Sequence, residues 1–249
     1  MSSQNIFFTG FTALLLLLGS CSVKDIEPSS IEAIGREFYP VQSGNTWIYQ
    51  VDSTTYTSRF IESQNRIITD TFRDRFFIME KIADSIGLQE GNPFFRIEIY
   101  RSADSLGPWR IDSVWSIQRG RDKILKTENN RPIVKLKFPL QKGIRWDGNQ
   151  YNSLQESSGT GWFYVKEINT NYPFGNNLYP SALIIQKSDS DCLGKTSFYE
   201  RYLKGIGPAF MMKSSILYLQ EGPDPCGNLP RIESGTERIF KLIRFEKGN

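Results

Sequence analysis

The chain has 249 residues, of which 39% are hydrophobic and 23% charged, and 30 basic against 27 acidic residues leave a net charge of +3. This composition is ordinary for a folded globular protein. The charges are spread along the chain without a basic cluster of the kind that follows a phosphate backbone, which argues against nucleic-acid binding. The absence of histidine excludes Ser-His-Asp and Cys-His catalysis, HExxH zinc sites and imidazole-bound metals.

The N-terminus carries the pattern of an export signal. An uncharged apolar run from Ile6 ends in Leu18-Gly19-Ser20-Cys21, and it is shorter than the roughly 20 apolar residues of a membrane span. A hydrophobic core followed by small residues is typical of a signal peptide. This ending resembles the lipobox of bacterial lipoproteins, whose cysteine is linked to diacylglycerol. The resemblance implies that residues 1–20 are removed and that Cys21 is acylated. Ordinary secretion with cleavage after Ser20 is the alternative.

After the signal, residues 21–37 are predicted to form a lipidated N-terminus and a polar tether that contains Pro28 and Gly35. The alternative is that Ile31 to Arg36 forms a helical turn packed on the domain. Residues 38–249 are predicted to form a single all-β domain, since apolar and polar residues alternate with period two from Phe38 onward.

Period-two alternation predicts antiparallel strands that are wet on one face. The candidate strands are Trp47–Asp52, Arg59–Ile68, Phe72–Ala83, Phe95–Tyr100, Trp109–Gln118, Lys123–Lys126, Ile133–Phe138, Trp162–Ile168, Ala182–Lys187, Thr196–Leu203, Ala209–Leu219 and Arg238–Phe245. Turn clusters such as Asp104–Pro108 separate them, and no long segment has a 3.6-residue period. The sequence therefore predicts an all-β fold of about 10–12 strands, in a single antiparallel curved sheet, open barrel or sandwich.

A short repeat occurs twice in this domain. Pro40–Trp47 and Pro139–Trp146 share the pattern Pro-[Val/Leu]-Gln-x-Gly-x-x-Trp. Proline ends an extended segment, glycine permits a turn with positive φ, and tryptophan opens the next strand toward the core. Two equivalent ligand-gripping corners are one interpretation. A recurring strand-entry corner, or the duplication of a half-sheet, is the other.

Three segments together carry a wider resemblance: Phe38–Tyr49, Phe138–Asn149 and Tyr199–Gly207. They resemble a group of uncharacterised lipoproteins from diderm bacteria that join a lipobox to an aromatic-rich β domain. Ser22, directly after the acylated cysteine, is not the aspartate that retains many such lipoproteins in the inner membrane. The resemblance therefore implies attachment to the outer membrane, on its periplasmic face or at the cell surface, and it implies no activity.

The two remaining cysteines are predicted to form a disulfide. Strand-like segments flank the glycines of Lys204–Pro208, which predicts a hairpin about Ile206. Folding there brings Cys192 and Cys226 to the same end, and an oxidising compartment favours the bond.

Other candidate sites have ordinary structural explanations. Asp189, Asp191 and Asp224 fit no EF-hand spacing, and such aspartates usually belong to solvated turns. Gly159-Thr160-Gly161 and Gly205-Ile206-Gly207 lack the following helix of a phosphate-binding loop. No catalytic residue, metal ligand or cofactor is indicated.

Three functional hypotheses remain. The first is a non-catalytic envelope protein, held on the membrane by its lipid, that binds a partner or ligand. The second is a carrier of lipid or another apolar ligand, in which an inward aromatic such as Trp115 would face a cavity. The third is a hydrolase that uses two facing carboxylates in a cleft, although no pair stands out.

Overall fold

A computed structural model describes residues 35–89, 92–152, 162–220 and 231–248. Two 3₁₀ turns, Arg36–Phe38 and Glu62–Gln64, accompany twelve strands. The strands are β1 (Thr46–Ile61), β2 (Arg66–Gln89), β3 (Asn92–Ser102), β4 (Arg110–Arg119), β5 (Lys123–Glu128), β6 (Arg131–Lys137), β7 (Arg145–Asp147), β8 (Trp162–Phe174), β9 (Asn177–Ser190), β10 (Gly194–Leu203), β11 (Gly207–Tyr218) and β12 (Ile232–Glu246). The predicted all-β class and strand number are confirmed.

The strands form one antiparallel sheet that curves into a nearly closed barrel. Its order is β6-β5-β4-β3-β2-β1-β12-β11-β10-β9-β8-β7. Each strand pairs with the next in sequence except β6 with β7, and β1 also pairs with β12. The seam lies between β6 and β7. There the Val134 N–H donates to the Gly148 carbonyl (2.9 Å), and the Trp146 indole N–H donates to the Val134 carbonyl (2.7 Å).

The repeat forms the same backbone corner twice. Gly44 and Gly143 both have φ of 86°. Their N–H groups donate over 2.8 Å to the carbonyls of Ile82 and Val165, respectively. Each corner leads into a run of six antiparallel strands, β1–β6 and β7–β12. The repeat is therefore a strand-entry corner, as expected for a duplicated half-sheet.

Both corners lie at one end of the barrel, which we call the closed end. It also contains Gly35 and the β2–β3, β4–β5, β6–β7, β8–β9 and β10–β11 connections. Phe38, Tyr39 and Leu140 are buried across it. The Trp47 indole N–H donates to the Ile206 carbonyl (2.6 Å). This end is filled by side chains, because fully buried aromatic rings exclude both water and ligand.

The opposite end, called here the open end, exposes its inner wall. Along β1 the inward side chains change from buried at Trp47, Tyr49 and Val51 to half-buried at Ser53 and exposed at its far end. The barrel therefore has a filled half and an accessible half.

Two sequence predictions need correction. Arg59–Ile68 is not one strand, because it contains the turn between β1 and β2, where Asn65 adopts a left-handed conformation (φ 45°). The polar run Glu62–Asn65 favours that turn. Strand β7, at Arg145–Asp147, was not among the candidates.

The chain enters the barrel within the segment predicted as a tether. Gly35 is buried, and the Glu37 carbonyl accepts a hydrogen bond from the Gly205 N–H (2.8 Å). Residues 35–37 thus pack on the domain, and residues 1–34 lie outside the described part. Among the described residues, no helix is long and apolar enough to cross a membrane.

Candidate functional site

Five charged side chains meet inside the barrel, just above its filled half. Lys126 Nζ lies 2.9 Å from Glu80 Oε2 and 3.6 Å from Glu128 Oε1. Lys135 Nζ lies 3.7 Å from the same Glu128 oxygen and 2.5 Å from Glu200 Oε1. The five side chains are between 4% and 14% exposed. We call them the charged cluster.

Four groups of the cluster have pKa values shifted toward their ionised forms. Burial alone would raise the pKa of Glu128, but attraction to Lys135 and Lys126 lowers it to about 2. Burial would likewise raise the pKa of the Glu200 carboxyl, but attraction to Lys135 opposes that effect, and the pKa is lowered. Burial would lower the pKa of Lys126, yet Glu80 and neighbouring groups hold it well above its usual range. The carboxylates of Glu128 and Glu200 therefore each face an ionised lysine at neutral pH.

Sequence reasoning missed this cluster because its members were counted as polar residues of a wet face. Glu80 stands in phase with the inward Ile78 and Ile82, and Lys126 stands in phase with Ile124. A charge at an apolar position of the alternation was the available signal. Lys135 had no such signal, because a β-bulge between β5 and β6 buries it beside Val134 and Leu136.

The lowered carboxyl pKa values predict acid sensitivity. A carboxyl whose folded pKa lies below its unfolded value stabilises the fold above the unfolded pKa and loses that contribution as pH falls. For Glu128 this amounts to about 3 kcal/mol, lost between about pH 5 and pH 2. The raised lysine pKa values act only above about pH 10 and leave this window unchanged.

Urea titrations over that pH range measure the effect. We expect the free energy of unfolding to fall toward pH 2, and Glu128→Gln to show a shallower fall than the parent chain. Equal slopes in the two proteins would show that Glu128 does not titrate in this way.

Above the cluster, two rows of side chains cross the inner wall. Cross-strand pairing aligns an outer row, Asp74, Ser53, Arg238 and Lys213, and a deeper row, Phe76, Val51, Phe240 and Met211. Directly paired residues of an antiparallel sheet point to the same face. The open end therefore presents a row of mainly charged side chains and, deeper in the barrel, a row of apolar side chains. We call these the mouth row and the apolar row.

Lys213 and Arg238 are an unusual pair within the mouth row. They are directly opposite one another on β11 and β12, both are exposed, and neither forms an ion pair with a described residue. Like charges in this position are destabilising. Lys213 also lies 6.0 Å above the Phe240 ring, and its charge helps lower the pKa of Glu128 and Glu200 below it.

On the other side of the mouth, a cation of the inner wall is paired with a carboxylate. Arg101 lies 3.7 Å over the Phe76 ring and 3.4 Å from the Asp74 carboxylate. A cavity of about 540 Å³ opens beside these three residues, between β2 and the β3–β4 connection.

Trp115 faces the interior of the barrel, as the carrier hypothesis expected, and it is half-buried against the core with Lys126 Nζ 4.8 Å from its ring. Its indole N–H has no acceptor among the described residues.

Of the residues predicted to carry covalent modifications, only Cys192 lies within the described part of the chain. Cys21 lies outside the described residues, so its acylation stays a prediction. The hairpin about Ile206 is confirmed, and it brings Gln220 Nε2 to 3.2 Å from the Cys192 carbonyl at the open end. Gln220, the last described residue before Cys226, therefore lies beside Cys192. Cys226 lies outside the described residues, and the disulfide stays a prediction.

The remaining motifs serve turns. One carboxylate oxygen of Asp191 accepts hydrogen bonds from the N–H groups of Leu193 and Gly194, both at 2.9 Å. The Gly205 N–H is bound to the Glu37 carbonyl, and Gly207 packs against Trp47. Among the described residues, no group of three or more acidic or cysteine side chains could hold a metal ion. Asp224 and Gly159-Thr160-Gly161 lie outside the described part.

The chain was also compared with known proteins. No family of known proteins matches it, and no curated protein matches it. Among solved structures it matches a protein described as a "putative lipoprotein" from Parabacteroides distasonis ATCC 8503, with 8% sequence identity and a TM-score of 0.31. The match covers 84% of this chain and 98% of that one. A likeness at this level does not establish a common fold.

Proposed function

We propose that this chain is a lipid-anchored, non-catalytic protein of the bacterial envelope that binds a small anionic ligand with an apolar body at its open end. The observation that carries the proposal is the pair Lys213 and Arg238, two cations on the inner wall directly above the apolar row, neither of which forms an ion pair with a described residue. Sites where a sequence departs from local stability rules are frequently functional. An anion between the two cations would relieve their repulsion.

The ligand class follows from the two rows. Arg238 and Lys213 supply charge-assisted donors for a carboxylate, sulfate or phosphate group. Phe240, Phe76 and Met211 lie one row deeper and are half-buried, so they can cover an apolar surface. This combination fits an amphiphile better than a wholly apolar lipid, and it merges the binding and carrier hypotheses.

A hydrolytic role is less well supported. Carboxylate catalysis needs an acid whose pKa is raised toward neutrality and a second, ionised carboxylate. In the charged cluster Glu128 and Glu200 have lowered pKa values, and all three glutamates contact lysines. The cluster therefore stabilises the wall beneath the ligand and leaves no acid ready to donate a proton.

Two fluorescent probes with one ring system test the ligand class: anilinonaphthalene sulfonate, which is anionic, and its uncharged analogue, phenylnaphthylamine. We expect the sulfonate to bind the parent chain and the double variant Lys213→Ala/Arg238→Ala to bind it at least tenfold more weakly. Phenylnaphthylamine binding should change little, because it depends on the apolar row.

Lys241→Ala/Arg244→Ala is the matched control, since it removes two exposed cations from the same strand, β12, away from the mouth row. It should leave both probes unaffected. Equal weakening by the two double variants would show only a general effect of net charge and would contradict the proposed site.

A further inference from the structure

Two hairpins extend beyond the closed end, and they hold equivalent places in the two six-strand halves. β1 begins at Thr46 opposite Lys81, so the rest of β2 and the paired part of β3 run past it. In the other half, Leu203 pairs with Ser181 and the Lys204 N–H donates to the Pro180 carbonyl (2.9 Å). The β8–β9 tip therefore projects past the β10–β11 turn.

Both tips expose large apolar side chains. Leu88 and Ile86 of the β2–β3 hairpin are 74% and 55% exposed, and Leu178 of the β8–β9 hairpin is 66% exposed. The β8–β9 hairpin contains no charged residue from 168 to 186. Grouped exposed apolar residues mark contact surfaces more often than isolated ones do.

Basic side chains lie at the same end of the barrel as these tips. Arg119, Lys142 and Lys247 lie at the closed end, are exposed, and form no ion pair with a described residue. Apolar residues beside cations are the combination that binds the surface of an anionic bilayer. The apolar groups enter the headgroup boundary, and the cations attract lipid phosphates.

The chain leaves the barrel at this same end. Gly35 is buried beneath Leu140, and only the 13 residues from 22 to 34 separate it from Cys21. A flexible linker of that length has an end-to-end distance on the order of 20 Å. Acyl chains on Cys21 would therefore hold the tips close to the bilayer, where a high effective concentration makes even weak contacts count.

We infer that the β2–β3 and β8–β9 tips rest on the headgroup region of the membrane that holds the lipid anchor, with the open end directed away from it. This inference depends on the anchor of the proposed function. It adds a second, non-covalent contact that fixes the orientation of the barrel.

Depth-dependent quenching tests the orientation. Leu178→Cys, Leu88→Cys and, as the open-end control, Leu217→Cys are each labelled with a nitrobenzoxadiazole dye in the acylated chain, without reduction. The three native leucines are all more than half exposed, and the parent chain gives the labelling background. The proteins are bound to vesicles of phosphatidylethanolamine and phosphatidylglycerol that contain a nitroxide-labelled headgroup.

We expect quenching at positions 178 and 88 to exceed that at 217 at least threefold, while all three proteins float with the vesicles. Equal quenching at the two ends, with flotation intact, would overturn the inference and leave the anchor standing. Failure of the acylated chain to float would overturn the anchor and this inference together.

Discussion

Replacing Lys126 by methionine is expected to lower the free energy of unfolding by about 3–5 kcal/mol. The ammonium is 4% exposed and contacts both Glu80 and Glu128, so its removal leaves the buried Glu80 carboxylate without its ammonium partner and Glu128 with Lys135 alone. Removing both charges of the Glu80–Lys126 pair is expected to cost much less stability than removing one. Glu80→Leu/Lys126→Met replaces both charges by apolar side chains, and we expect it to regain most of the loss.

Chemical denaturation of these two variants and of the single variant Glu80→Leu measures this difference. Arg59→Ala is the control, because it breaks an exposed pair with Asp70 at a similar distance, 2.7 Å. It should cost less than about 1 kcal/mol. A double variant that is as unstable as the sum of its single variants would show that the charges in the cluster are not coupled.

Trp146→Ala should have a comparable effect, about 3–5 kcal/mol, because it removes a buried ring and opens the seam. Trp146 is 2% exposed, stacks on Phe163 at 5.6 Å between ring centroids, and donates to the Val134 carbonyl. Trp146→Phe keeps one stacked ring, and it loses the hydrogen bond and the smaller part of the buried ring volume. It should cost about 1–3 kcal/mol for the carbonyl left unpaired.

Hydrogen exchange locates the damage. The Val134 N–H, which donates to Gly148 across the seam, should exchange faster in Trp146→Ala than in the parent chain. Trp162→Ala is the matched control, since Trp162 is 52% exposed on β8. Unchanged protection of Val134 in Trp146→Ala would mean that the barrel does not depend on this seam.

The fold was largely predictable because alternation is a local signal. Strands such as Phe95–Tyr100 are half-buried, and period-two patterning reports that directly. The repeat also predicted its two corners, since proline, glycine and tryptophan each impose a distinct backbone or packing requirement. Arg59–Ile68 failed because its β-branched flanks outweighed the turn residues between them.

The candidate site was less predictable because pairing across the barrel creates it. Lys135 and Glu200 lie 65 positions apart in the chain and meet only after the barrel curves. Lys213 and Arg238 become neighbours through the register of β11 and β12. A single sequence does not show which residues meet across a barrel. It does show that Glu80 and Lys126 occupy positions where the alternation predicts an apolar side chain.

The central claim is that an acylated Cys21 holds a barrel whose mouth binds an anionic ligand. Native mass spectrometry of the protein extracted from its own membrane tests both parts in one measurement. The account predicts a chain that begins at Cys21, carries acyl groups, and retains an anionic species that Lys213→Ala/Arg238→Ala has lost. A chain that keeps residues 1–20, or the same bound species in parent and variant, would contradict it.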